Sequence, residues 1–234
     1  MKVVAFDVSS PLAQFRKGYS TTSTLTFSIA PPSAVRGLIG AILGMTSAEI
    51  PDRLAEAKVG ISVMSEVSKS RITANYINTK LGISPAHISG PARTQIRVEY
   101  VREPRYRIYF SVDDTEIMNR LREMLVAHKS HFTPYLGTAC CIAQVTWHGE
   151  YDVTPATHEN EVSVRSAVPR DWIVKMSVKQ NSRYMVERVP VLVDRERTPM
   201  RYVDLVFDAR GGPITGVFSR PLVDIGGGCL VALI

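Results

Sequence analysis

Thr22-Ser-Thr-Leu-Thr-Phe-Ser-Ile-Ala-Pro-Pro-Ser-Ala-Val-Arg-Gly-Leu-Ile-Gly-Ala-Ile-Leu-Gly44 carries the reading on which the fold turns, because a strand-like run meets Pro31-Pro32 and passes into a glycine-studded helix. Ser33 follows the second proline, where its hydroxyl can accept a hydrogen bond from a free amide of the first turn, so it is the expected N-cap. Val35, Leu38, Ile39, Ile42 and Leu43 recur at i, i+3, i+4, i+7 and i+8, one apolar stripe for a core. Gly44 supplies the stop. Gly37 and Gly40 each cost roughly 1 kcal/mol relative to alanine inside a helix, and close approach by a sheet or a ligand is the expected compensation. Two readings stand for this helix: tight packing on a sheet, and a helix that also offers its N-terminal amides and Arg36 to a phosphate.

Working outward, residues 2 to 8 alternate as a strand with Val4, Phe6 and Val8 on one face and Val3, Ala5 and Asp7 on the other. Residues 9 to 24 form a long Ser/Thr-rich connection carrying Phe15, Arg16 and Lys17. A short helical pattern around Ile50 to Ala57 leads into a strand over Val59 to Val67. Residues 68 to 94 lack a core-facing period and suit a protruding hairpin or loop. Gln95 to Val101 and Tyr106 to Val112 read as strands joined by a turn at Glu103-Pro104 and are expected to pair with each other. Asp114 caps a helix bearing Ile117, Leu121, Met124, Leu125 and His128, and Cys140 to Trp147 supplies a further strand.

The order through residue 150 is thus β-α-β-β-α-β, that of a ferredoxin-like, RNA-recognition-type palm. The aromatic consensus of ordinary RNA-recognition sheets is missing, so base stacking on the sheet does not follow from the fold class. From 151 to 234 the pattern is nearly all strand and turn: Glu161 to Val168, Trp172 to Val178, Arg188 to Val193, Tyr202 to Phe207 and Cys229 to Ile234. The expected architecture is therefore α+β: a palm over 1–150 with an insertion at about 68–94, and a β-rich subdomain over 151–234 with no linker between them. Gly226, Gly227 and Gly228 precede the final strand. They read either as a flexible turn or as bare backbone for phosphates.

The chain has 234 residues, is 45% hydrophobic and 21% charged, and carries a formal net charge of +6. That is the composition of a folded protein with a proper core, and the surplus of Lys and Arg favours a polyanionic partner. No apolar run approaches the roughly 20 residues needed to span a bilayer, and the alternating N-terminus lacks a signal-peptide core. A cytoplasmic protein with no membrane partner is expected. Three cysteines, two of them the adjacent Cys140 and Cys141, form neither a disulfide framework nor a C-x-x-C metal pair and read as small buried hydrophobes.

Three stretches together resemble the Cas-five family of the RAMP superfamily, the handle-capping subunit of type I CRISPR surveillance (Cascade) complexes, with type I-B as the candidate subtype. They are Phe27 to Gly44, with its Pro-Pro-Ser/Thr-x-x-x-Gly-x-x-Gly pattern; Thr94 to Tyr100 leading to Tyr106 to Phe110; and Pro134-Tyr-Leu-Gly137 followed by Cys141-Ile-Ala143. The resemblance covers residues 1 to 150, and the rest only in its β character. It implies a hand-shaped protein with a ferredoxin-like palm and a β-hairpin thumb at about 68–94, gripping the 5′ handle of a CRISPR RNA. The implied partners are that RNA, backbone subunits of the Cas-seven type, a large subunit of the Cas-eight type and, through the complex, target DNA. The implied RNA contacts are Arg16 and Lys17 in the first loop, Ser33 and Arg36 at the helix start, Lys69, Arg71, Lys80, Arg93 and Arg97 on or near the thumb, and Gly226, Gly227 and Gly228.

Some members of this family cut precursor RNA by metal-independent attack of a 2′ hydroxyl, which needs a general base and a cationic group. His128, Lys129, His131 and Tyr135 are the residues of suitable type, although His128 shares the helix's apolar spacing. No phosphate-binding loop, H-E-x-x-H, G-x-S-x-G or spaced carboxylate cluster occurs. The expected protein is noncatalytic and needs neither cofactor nor metal, with precursor-RNA cleavage as the alternative.

Overall fold

The computed structural model describes residues 1–18, 24–77 and 93–234. Helix α1 spans Pro32–Leu43 and starts two residues earlier than the Ser33 cap would place it. Pro31 is the N-cap, with extended φ −64° and ψ 146°, and no side chain caps the turn. Pro32 occupies the first helical position, where a missing N–H costs nothing and φ is already helical. The Pro31 carbonyl accepts from the amides of Ala34 and Val35, so a serine hydroxyl is not needed. Gly44 closes the helix at φ +79°, its amide donating to the Gly40 carbonyl.

Val35, Leu38, Ile39, Ile42 and Leu43 are all buried, and they pack against one face of a four-stranded antiparallel sheet. Its strands are β1 (Lys2–Ser9), β3 (Lys58–Val63), β6 (Arg105–Ser111) and β7 (Gln144–Asp152), in the order β3-β6-β1-β7. Between them come β2 (Leu12–Ala13), α2 (Glu49–Arg53), β4 (Ser68–Ile77), β5 (Arg93–Arg102) and α3 (Thr115–Val126). The side chain of Asp114 accepts from the Ile117 amide at 3.1 Å and so caps α3, which buries Ile117, Met118, Leu121 and Leu125.

Strand β1 is covered on both sides. Val4, Phe6 and Val8 join α1 and α3 in the main core, while Val3 and Ala5 on the opposite face meet Tyr109, Val223, Ile225 and Val231.

One pairing differs from expectation. β5 and β6 are adjacent in sequence but do not pair with each other: β6 lies between β1 and β3, and β5 lies between β2 and β4. The turn at Glu103, at φ +46°, passes the chain from one sheet to the other rather than folding it back. Lys58 stands opposite Ser111 and Val63 opposite Tyr106, whereas Ser68 stands opposite Arg102 and Ile77 opposite Arg93. The β4–β5 ribbon therefore continues the β3–β6 pair beyond the sheet, with a one-residue shift at the break. Sequence alternation alone cannot separate a turn between partners from a break within one long ribbon.

The remaining strands are β8 (Val162–Val164), β9 (Val168–Pro169), β10 (Ile173–Ser177), β11 (Tyr184–Val193), β12 (Pro199–Asp208), β13 (Ile214–Phe218), β14 (Val223–Asp224) and β15 (Leu230–Val231). They form a five-stranded sheet, β10-β13-β8-β15-β14, and a three-stranded sheet, β11-β12-β9. The latter packs on α1, and its Val189, Leu205 and Phe207 belong to the same core as the helix and the four-stranded sheet. Of the three free thiols only Cys141 is buried; Cys140 is exposed and Cys229 half-buried. No helix among the described residues is long and apolar enough to cross a membrane.

Candidate nucleic-acid interface

The β4–β5 ribbon is long, and beyond it only the two-residue β2 adds to that sheet. Strand alternation puts Lys69, Arg71 and Thr73 on one side together with Arg97 and Glu99, Arg71 standing opposite Glu99 and Thr73 opposite Arg97. Glu99 is the one carboxylate among these and holds two of the cations, Lys69 at 3.4 Å and Arg71 at 3.5 Å. It is the less exposed partner, at 13% exposure against 64% for Arg71, so the reachable side of the pair is positive. Arg97 is exposed and has no ion pair among the described residues.

The first loop lies along this ribbon. Thr24 bridges Val98, its amide donating to the Arg97 carbonyl at 3.2 Å and its carbonyl accepting from Glu99 N–H at 2.8 Å. The Lys69 ammonium donates to the Thr26 carbonyl at 2.8 Å, and Arg16 bridges Thr26 and is itself exposed. Backbone pairing thus gathers Arg16, Lys69, Arg71 and Arg97 from two sequence-distant segments. Strands pairing residue by residue hold such charges at fixed spacing, as a polyphosphate requires.

Lys17 belongs to the same loop but faces inward. Its ammonium meets Glu187 of β11 at 3.1 Å and stands 5.2 Å from the Phe27 ring centroid. Glu187 is buried and also accepts from the Ser28 amide at 2.6 Å and the Ser28 hydroxyl at 3.0 Å. This polar cluster ties the first loop to the C-terminal half.

Arg36 and Ser33 are not part of the ribbon surface. Arg36 is 3% exposed, and its guanidinium donates to three backbone carbonyls, those of Leu54 at 3.0 Å, Val191 at 2.9 Å and Ala57 at 2.5 Å. Burial, and then the charge of Arg201, lower its pKa to about 10 against the opposing pull of Glu56. The phosphate-facing Arg36 expected from sequence is instead a bolt between α1, the α2–β3 connection and β11. Ser33 is half-buried in the first turn of α1 and caps nothing. Gly40 is explained by protein rather than ligand, since a Cβ there would lie 2.5 Å from Ile50 Cδ1; a Cβ at Gly37 would meet nothing within 4 Å.

Gly226, Gly227 and Gly228 form the turn between β14 and β15, on the opposite side of the four-stranded sheet from α1. All three have positive φ, 102°, 65° and 76°, and the Gly226 amide is already given to Asp224 Oδ1 at 2.8 Å. Arg93 opens β5. Lys80, and with it the tip of the expected thumb, lies outside the described residues.

His128 does not lie on the apolar stripe of α3. It follows the helix at φ +51° and is exposed, so of its two readings, core or cap histidine, the core one fails, and its amide donates to Leu125 O at 3.2 Å at the helix end. The strap after it lies across the end of α1: His131 N–H donates to Ile42 O and Phe132 N–H to Ala41 O, both at 3.0 Å. The His131 ring fills the space over Gly44, 2.6 Å from where a Cβ would be. No group of three or more potential metal ligands occurs among the described residues.

Sequence reasoning missed the pair Asp7 and Arg107. They face each other across β1 and β6, with Arg107 Nε and Nη2 donating to the two carboxylate oxygens at 2.6 and 2.9 Å. Burial, and then the nearby Arg107, keep the His148 pKa below the ordinary histidine value. The signal was available in the alternation, which put Asp7 on a buried face where a carboxylate needs a partner.

An α+β chain with a basic two-stranded ribbon standing off a helix-backed sheet describes a class rather than a single protein. The family model for CRISPR-associated protein (Cas_Cas5) matches residues 3–205, and the chain belongs to that family. No curated protein matches the sequence. Among solved structures, the chain resembles a CRISPR protein from Archaeoglobus fulgidus (TM-score 0.60, 14% identity, 99% of this chain and 98% of that one). It also resembles a chain of a CRISPR RNA-guided surveillance complex (TM-score 0.57, 14% identity, 93% and 91%). A chain of a type III-B Cmr-beta complex bound to cognate target RNA and AMPPnP matches with TM-score 0.50 and 11% identity over 90% and 86%.

Proposed function

We propose that this chain is a noncatalytic RNA-binding subunit of a CRISPR surveillance complex, which caps the 5′ handle of the guide RNA. The observation that carries the proposal is the positive side of the β4–β5 ribbon, where Arg71 and Arg97 are exposed and Arg16 of the first loop joins them. On this reading the sheet β3-β6-β1-β7 with α1 and α3 is a ferredoxin-like palm, and the ribbon is the stem of a thumb. Arginines on paired strands clamp phosphates at fixed spacing while bases are splayed for separate pockets, the usual mode for single-stranded RNA. Backbone subunits, a large subunit and, through them, target DNA are the partners this role requires. Arg71, Arg97 and Arg16 replace Arg36 as the clamp, because Arg36 is consumed by carbonyls.

The test is handle protection by the assembled complex. Replacing Arg16, Arg71 and Arg97 together by alanine is expected to expose the handle to nuclease and to flatten the salt dependence of RNA binding by about 0.7 in log–log slope per lost contact. Unchanged protection and slope would sink the clamp. Exposed His128, Lys129 and His131 on one strap favour the second reading, metal-independent cleavage of precursor RNA. Incubating the isolated chain with repeat RNA in chelator decides between them: site-specific cleavage that His131→Ala abolishes supports the nuclease, and intact RNA retires it.

A further inference from the structure

A separate feature lies on the solvent side of the C-terminal three-stranded sheet. Strand β9 pairs with β12 only at Leu205 and Val206, then ends at Pro169 and curls into a 3-10 turn over Arg170–Trp172. The edge of β12 beyond that pairing is left uncovered. The space between the turn and the strand is an open hollow of about 410 Å³ lined by Arg170, Asp171, Tyr202, Val203 and Asp204. Its volume suffices for one planar base laid against the strand edge.

The lining is chemically uneven. Tyr202 is a 46% exposed aromatic ring, with the Arg188 guanidinium 5.5 Å from its centroid. Asp204 stands directly across from Arg188 in the strand register. Neither Asp171, Asp204 nor Arg170 has an ion pair among the described residues. A stacking platform, two free carboxylates and one free guanidinium group thus meet in one place outside the ribbon surface.

We propose that this hollow binds a guanine base. Guanine alone among the common bases carries two adjacent donors, N1–H and the N2 amino group, that a carboxylate accepts together. It also carries two acceptors, O6 and N7, that an arginine fork donates to. Tyr202, stiffened by Arg188, supplies the flat surface, Asp171 and Asp204 the acceptors, and Arg170 the donors. Adenine has an acceptor at N1 where guanine has a donor, so it would leave a carboxylate facing a lone pair. The inference is independent of handle capping, since none of its residues is on the ribbon.

The experiment uses the isolated full chain and measures binding of GMP, AMP, CMP and UMP, and of single-stranded uridine hexamers with one central G or A. GMP and the G hexamer are expected to bind at least about tenfold more tightly than their A counterparts, the scale of one stacked and paired base. Tyr202→Ala should abolish binding of both, and Asp171→Asn with Asp204→Asn should erase the preference for G over A at unchanged melting temperature. Arg71→Ala with Arg97→Ala should leave that preference in place. A G hexamer binding well above GMP assigns the site to a nucleic-acid strand, and equal affinity assigns it to a free guanine nucleotide; both uphold a guanine site. Equal binding of all four bases, or a G preference that survives Tyr202→Ala, overturns it.

Discussion

Arg36 illustrates how a single residue is misread when only its neighbours in sequence are known. A helix start with a following arginine suggests an anion site, but the nearest oxygens are the protein's own carbonyls from Leu54, Ala57 and Val191. A planar cation with five donors suits that task better than an ammonium. Arg36→Met takes the guanidinium away from three buried carbonyls, of which Leu54 O keeps the Ala57 amide at 3.3 Å, and the expected loss is roughly 3 kcal/mol in a denaturant titration, with RNA affinity of the folded fraction unchanged. Arg36→Lys should rescue little of it, because one ammonium cannot reach all three. A stable Arg36→Met variant with weakened RNA binding would return Arg36 to the interface.

At the scale of elements, α1 and α3 were legible because each writes its core in a 3.6-residue period and one of its ends in Gly44 or Asp114; the start of α1 was misplaced at Ser33. Of the ribbon, β5 was legible as a strand over Gln95 to Val101, and β4 only as part of a region without a period. Its strands alternate between Ile72 and Arg71, or Val98 and Arg97, as any exposed pair does. What it pairs with is set by the long-range register, which a local pattern does not carry. The same limit put the β5–β6 turn in the wrong sheet and left β13 unread, since Ile214-Thr-Gly-Val-Phe218 is short and broken by a glycine. The candidate site was half visible for the same reason: Arg71 and Arg97 could be named, but not that Lys17 turns inward to Glu187. Gly37 yields a clean test of α1. With open space where its Cβ would be, Gly37→Ala should raise stability by about 1 kcal/mol, read as a higher melting temperature. If the variant is more stable yet fails to join the complex, a partner subunit approaches the helix there.

The whole molecule does not divide at residue 150 in energetic terms. Val189, Leu205 and Phe207 complete the core begun by α1, Arg36 binds Val191, and Glu187 receives Lys17 and Ser28. Residues 1–150 made alone are therefore expected to lack a cooperative unfolding transition, whereas two separable domains would show one. Glu187→Gln keeps the shape but removes the buried charge that Lys17 and both Ser28 donors meet, and should cost about 3 kcal/mol in the intact chain.

The Glu187 cluster also bears on how the protein is made. A ribosome delivers the Ser28 amide first and its carboxylate partner 159 residues later. At about 5–20 residues per second this is a wait of roughly ten to thirty seconds. Through that interval Glu187 is not yet present to meet Lys17 and Ser28, so the first loop docks on β11 only after most of the chain has been made.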